Sequence, residues 1–190
     1  MASQRAQVKR HAERSVPEQA AAILEVGRVA HLAFTENGQP FAIPFGYQFD
    51  ASQPDRLYIH GSRASRALNL AASGAPLSVT VTLLDGLVYS KSAMYHSINY
   101  RSAVCFGRGC EVKEEGRQRA IYDRMIQRYF AGRKPGRDYA PATSAELAAT
   151  MLVEIAIEEI SAKARQQGPA GPSDGDPEAP GTAGVIPVQF

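Results

Sequence analysis

The chain has 190 residues, 44% hydrophobic and 21% charged, with a formal net charge of +2. That is long enough for one domain with its own core, gives no ground for a nucleic-acid surface, and contains no apolar run near the roughly 20 residues of a membrane helix. The opening MASQRAQVKRHAERS is polar, with no apolar segment behind it, and does not read as a secretory signal.

In chain order, residues 1–14 read as a flexible basic arm. Ser15-Val16-Pro17-Glu18 has the pattern of a capping box with proline at the first helical position, before a helix that ends at Gly27. Val29 to Phe34 and Pro40 to Phe49 are strands joined by the turn Asn37-Gly38. Arg56 to His60 is a third strand. Ser62 or Ser65 caps a helix to about Ala72, stopped by Gly74. Leu77 to Tyr89 is strand, and its Asp85-Gly86 fits either a hairpin turn or a bulge. A polar segment follows, Ser90 to Ser102, and reads as a long loop. Ala103 to Lys113 is strand, Glu114-Glu115-Gly116 a turn, and Arg117 to Ala131 an amphipathic helix with Ile121, Met125, Ile126 and Tyr129 on one side. Ser144 to Ala149 is a short helix, and Met151 to Ile160 a last strand with one wet face. Residues 166–184, rich in Gly, Pro and acidic residues, read as a flexible linker, and 185–190 as an apolar docking segment. The folded domain is then 15–165. Short strands joined by hairpins, with few helices between them, give a mainly β fold: an antiparallel barrel with peripheral helices.

Cys105 and Cys110 are the only cysteines. Five residues apart on one strand, they face opposite ways and cannot easily bridge, and alone they make a poor zinc site. Two buried free thiols in a reducing cytoplasm are expected.

Three stretches carry candidate chemistry. His60-Gly61-Ser62-Arg63-Ala64-Ser65-Arg66 joins a strand to a helix, where free N–H groups, two hydroxyls and Arg66 suit an anion. Neither a Walker loop nor a Rossmann turn is present. Ala42-Ile43-Pro44-Phe45-Gly46-Tyr47 puts proline and glycine in a strand, a bend that exposes backbone polar groups to a flat heterocycle. The polar segment supplies His96, Asn99, Tyr100, Arg101 and Ser102. His60 ends a strand beside the anion site; His96 fits loop stapling as well as catalysis; His11 and His31 carry no assigned role.

Taken in order, these motifs, from IPFGY through LYIHGSRASR and VTVTLLDGLV to HSINYRSAVCFG, resemble the FMN-binding split-barrel family. The resemblance lies nearest the pyridoxamine 5′-phosphate oxidase-related branch that includes nitroimidazole-resistance reductases. It runs from about Arg14 to Lys163, and AGVIPV is similar to that branch's ending. It implies FMN as cofactor, with the phosphate on Ser65 and Arg66 and with Gly61 and Ser62 nearby. Pro44 and Phe45 would line the ring, and His60 would lie near the flavin as the catalytic candidate. Asn99, Tyr100, Arg101 and Ser102 would complete the site. It also implies a homodimer with the flavin at the interface, a small-molecule substrate and an electron donor; the cytoplasmic location is read from the polar N-terminus and the cysteines. The oxidases proper carry a C-terminal arginine motif, and no arginine follows Gly184 here, which argues against that activity. Three alternatives stand beside an FMN-dependent oxidoreductase: a flavin binder without turnover, a haem-handling split barrel and a deazaflavin enzyme.

Overall fold

A computed structural model describes residues 4–188. The strands are β1 (Val29–Glu36), β2 (Gln39–Phe49), β3 (Arg56–Ser62), β4 (Leu77–Tyr89), β5 (Ser97–Glu111), β6 (Thr150–Arg165) and β7 (Gly184–Pro187). The helices are α1 (Ala20–Val26), α2 (Arg66–Ala72), α3 (Glu115–Tyr129) and α4 (Ser144–Ala149). All pairings are antiparallel, in the order β1-β2-β3-β6-β5-β4-β7, and β1 also pairs with β4. That second pairing closes six strands into a barrel. β7 extends the outer half of β4, which runs past β1.

The hairpin turn forms where the sequence places it. Asn37 and Gly38 have φ of 51° and 80°, the two left-handed positions of a tight hairpin, and Glu36 pairs with Gln39. Period-two alternation then sorts the side chains. Ala30, Leu32 and Phe34 enter the core with Phe41, Ile43 and Phe45 opposite them, while His31, Ala42, Pro44 and Gly46 face outward. Ile23 and Leu24 of α1 and Leu68 and Ala71 of α2 complete the core. The buried Tyr47 hydroxyl donates to Leu24 O at 2.6 Å.

Several local expectations are corrected. Ser15 caps no helix: it bridges to Lys163, Val16 N donates to Ala162 O, and the chain turns through a 3-10 segment, Pro17–Gln19, into α1. Pairing with β6 holds Ser15 too far from the helix start. Asp85-Gly86 is a bulge inside continuous β4. The long loop shrinks to residues 90–96, because Ser97 to Ser102 already belong to β5. There β4 pairs with all of them and β6 joins from Tyr100 onward, and these ladders outweigh the local preference of polar residues for a loop. Glu114 is not a turn residue: its carboxylate caps α3 by accepting from Gly116 N and Arg117 N. Only Cys105 is buried, its thiol pushed up to about 12 by desolvation; Cys110 is exposed.

The described part of the N-terminal arm lies along β6, where Arg5 pairs with Glu158 and Glu159 and Lys163 Nζ donates to Arg10 O. Met1–Ser3 and the last two positions of the docking segment, Gln189 and Phe190, lie outside the described residues. Among the described residues no helix is long and apolar enough to cross a membrane.

Candidate functional site

α3 packs across the outer face of β2 and β3 because its ends are fastened. Near its start Gln118 donates to Val112 O, and Ile121 and Met125 are buried. Near its end the Tyr129 hydroxyl accepts from Tyr47 N at 2.8 Å and donates to Arg28 O at 2.7 Å. The almost buried Arg128 donates to Leu24 O and Gly27 O, both at 2.7 Å. Between helix and sheet lies a crevice of about 400 Å³. Gly46, His60 and Thr150 form its floor; Tyr122, Met125, Ile126, Tyr129 and Phe130 of the α3 region and Ala142, Glu146 and Leu147 from α4 and its approach form its walls.

Two polar groups in this apolar crevice are unspent among the described residues. His60 makes no hydrogen bond; its ring meets Tyr122 edge-on, with centroids 5.3 Å apart. Desolvation holds its pKa below the ordinary histidine value, so the imidazole is neutral at pH 7. The Tyr122 hydroxyl is buried and has no partner. Burial pushes its pKa up to about 12, so it keeps its proton. A buried donor left unpaired costs about 1–3 kcal/mol, which a ligand that accepts from it would recover.

The corner after β3 holds the residues read as an anion site. Ser65 caps α2, accepting from Leu68 N, and Ser62 Oγ accepts from Ala64 N. Each hydroxyl keeps its own proton to donate. Arg66 is 55% exposed in its side chain, stacks 4.1 Å over the Phe41 ring and meets Glu36 at 3.3 Å. Arg63 is used otherwise: it donates to Ala148 O and Thr150 O and pairs with Glu111 at 2.7 Å. Gly61 lies under α2, where a side chain would press on Leu68. Of the two ring-lining residues, Pro44 faces out but Phe45 packs inward opposite Ala30, so only its backbone is offered.

The β5 residues lie elsewhere. Ser62 pairs with Thr150 and Ser102 with Lys163, near opposite ends of β6. Asn99 Oδ1 accepts from Arg165 Nη1 at 2.7 Å and from Gln167 N at 3.0 Å, while its Nδ2 donates to Gln167 O. Arg101 grips Asp85 with two bonds, at 2.7 and 2.9 Å. Ser102 donates to Lys163 O, and Tyr100 sits opposite Leu84 and Arg165. His96 is a loop staple, its ring against Ala93 O at 3.2 Å. The structure thus gathers His60 to Arg66 with Pro44 in one region and leaves Asn99 to Ser102 in another.

The sequence model of the family described as pyridoxamine 5′-phosphate oxidase matches residues 17–164. The chain belongs to this family. Its barrel closely resembles two solved structures. One is the FAD and haem binding protein from Mycobacterium smegmatis, 33% identical, covering 92% of this chain and 84% of that one, with a TM-score of 0.81. The other is the flavocytochrome Anf3 from Azotobacter vinelandii, 30% identical, covering 99% of this chain and 86% of that one, with a TM-score of 0.84. A candidate 5-nitroimidazole antibiotic resistance protein from Bacteroides thetaiotaomicron, 16% identical with a TM-score of 0.63, shares the fold. No curated protein matches the sequence.

Within this pyridoxamine 5′-phosphate oxidase family barrel, sequence reasoning missed the α3 wall and the α4 rim. Ile121, Met125, Ile126 and Tyr129 read as one amphipathic stripe facing a core, and Tyr122 was not singled out. Ile121 and Met125 are buried as expected, while Ile126 and Tyr129, joined by Tyr122, line the crevice with His60. The sequence signal was Phe130, which with Tyr122 and Ile126 repeats at i, i+4 and i+8 and widens the apolar side beyond one stripe; the structure leaves it 60% exposed just past the helix end.

Proposed function

We propose that this chain is a cytoplasmic, flavin-binding oxidoreductase that reduces a small electron-poor molecule and works as a homodimer. The observation that carries the reading is the apolar crevice with two unspent polar groups, His60 and Tyr122, opening beside the Ser62–Arg66 corner. Arg66 would hold the flavin phosphate in place of its present contact with Glu36, with Ser62 and Ser65 donating their hydroxyl protons. Pro44, the Phe45 backbone and Gly61 would allow the ring and ribityl chain to lie close. When bound, the flavin supplies the redox chemistry. His60, neutral, would orient a substrate by hydrogen bonding rather than supply a proton as imidazolium. Asn99, Tyr100, Arg101 and Ser102 lie far from this corner within one chain, so their proposed part is to face the flavin of a second chain. FMN is the nucleotide read from the single-phosphate site. Chromatography of the cofactor released on denaturation tests it, and recovery of FAD would place the chain with the M. smegmatis protein.

A second reading is favoured by the same histidine. A neutral imidazole whose nitrogens make no hydrogen bond among the described residues, set in an apolar cleft, could hold a haem iron, and two relatives at 30% identity or more are named for haem or as a flavocytochrome. The visible spectrum of the purified protein separates the readings. Flavin bands alone support the first; a Soret band that His60→Ala abolishes, leaving flavin bands in place, supports both together. Tyr122→Phe supplies a control. It should leave the cofactor-free protein as stable as before while weakening cofactor binding, whereas equal binding would remove Tyr122 from the site.

A further inference from the structure

An annex of about 470 Å³ adjoins the crevice, between α3 and the irregular segment 131–143. Tyr122, Ile126, Ala142 and Glu146 line both spaces, so the two meet across these side chains. The outer wall of the annex is tied to α3 at both ends. Gln127 Oε1 accepts from Gly132 N at 3.2 Å, and its Nε2 donates to Arg133 O. At the far end Arg119 Nη1 donates to Ala142 O. Between these ties Pro135 bridges to Tyr139, and Gly136 N donates to Tyr139 O at 2.8 Å. Gly132 and Gly136 have φ of 85° and 76°, which lets the segment turn back along the helix without strain.

The charged groups of the annex are engaged within the fold. Arg119 pairs with Glu115 at 2.6 Å. Glu146 closes the capping box of α4, accepting from Thr143 N at 2.7 Å. The exposed Asp123 accepts from the Tyr139 hydroxyl at 3.4 Å. What remains to meet a ligand is apolar: Ile126, Pro135, Ala140, Pro141, Ala142 and the Tyr139 ring. The exception stands where the two spaces meet. There the Tyr122 hydroxyl is buried, keeps its proton and has no partner among the described residues, so its O–H calls for an acceptor.

We infer that the substrate of the crevice is a neutral, conjugated carbonyl compound with an apolar arm: its flat head lies beside His60, its carbonyl oxygen accepts from Tyr122, and its arm enters the annex. A quinone substituted next to a carbonyl is the simplest molecule of this class. The order of the groups argues the shape. One donor stands between two apolar spaces, so the ligand needs an acceptor between two apolar parts. The head belongs in the crevice, which opens beside the corner read for the flavin. The arm carries no charge, because an ion buried among engaged groups would lack a partner. The inference deepens the oxidoreductase reading and rests on it, since it needs the crevice to be the substrate site.

Two quinones test it by calorimetry on the purified protein with its cofactor bound: 2,3-dimethyl-1,4-naphthoquinone, and the same ring with a pentyl arm in place of one methyl. The armed quinone should bind once per chain, at least about tenfold more tightly than the bare ring. It alone should slow hydrogen exchange at Tyr139, Ala140 and Ala142, a readout that needs no variant. Ala140→Trp fills the annex from an exposed position outside the crevice. It should remove the arm's gain while the bare ring binds within about twofold of its former affinity. Equal affinity for the two quinones, a gain that survives Ala140→Trp, or unchanged exchange at all three amides would overturn the annex and leave the crevice as the substrate site. Binding of neither quinone would overturn the crevice reading for this class, and the armed substrate with it.

Discussion

The corner after β3 and the first residues of β5 have similar compositions: hydroxyls, arginine (two at the corner, one on β5) and one more polar side chain. Their circumstances differ. At the corner, Arg66 stands more than half exposed with a single carboxylate contact at 3.3 Å, and His60 has no hydrogen-bond partner among the described residues. On β5, Asn99 is 9% exposed with both ends of its amide taken, and Arg101 is closed on Asp85. Polar composition marks both as candidate sites, but only the corner and the crevice beside it have groups to spare. Within one chain the β5 polar groups are taken up in anchoring the C-terminal strap and the bulge of β4, so any contact with a second chain's flavin would be added to those bonds.

The largest expected effect breaks the β5 side. Asn99→Leu leaves Arg165, an 8% exposed guanidinium with no carboxylate partner among the described residues, short of its best acceptor. The expected loss is about 3 kcal/mol, read by urea denaturation without any ligand. A loss under about 1 kcal/mol would mean that Asn99 is not structural.

Next comes a contrast inside the corner. Arg66→Ala should weaken flavin binding by about a hundredfold, roughly 2–3 kcal/mol, and leave folding nearly unchanged. Arg63→Ala should do the reverse, lowering stability by about 1 kcal/mol through its contacts with Ala148, Thr150 and Glu111 while flavin titrations stay the same. Equal effects on flavin affinity would show that general positive potential, not the geometry of Arg66, holds the phosphate.

A smaller effect sharpens the β5 side. Arg101→Lys keeps the charge but loses the fork on Asp85, and should cost about 1 kcal/mol in a thermal melt. If it instead lowers flavin affinity strongly at unchanged stability, Arg101 is a ligand contact first.

The smallest effect is a pH signature. Desolvation lowers the His60 pKa in the folded chain relative to the value near 6.5 expected when unfolded. The unfolded state therefore binds the proton more readily. His60's contribution to stability is intact above about pH 6.5 and is lost as pH falls through that value toward the folded one. His60→Gln should remove this component, so melting temperatures of wild type and variant should diverge between about pH 7.5 and about pH 5.5. Parallel curves would mean that the imidazole is effectively solvated.

Much of this was legible in the sequence because it is local. Asn37-Gly38 demanded a left-handed hairpin turn whatever surrounded it. Ser65 was one of two serines placed to cap α2, and it does. Alternating apolar residues chose which side of β1 faces the core, and motif order along the chain carried the family, but the expected wet face of β6 is covered at Leu152, which is buried with Ile121 of α3. Tertiary structure alone decided the rest, because it depends on partners distant in sequence. Ser15 lost its capping role to a bridge with Lys163, and Ser97 to Ser102 became strand because β4 pairs along all of them and β6 joins from Tyr100. Phe45 turned inward because its register partner is Ala30. The crevice exists because Tyr129 and Arg128 pin α3 to backbone about a hundred residues earlier in the chain. Local preference sets the shape of a turn or a cap, but whether a polar side chain is left free for a ligand depends on which distant group reaches it first.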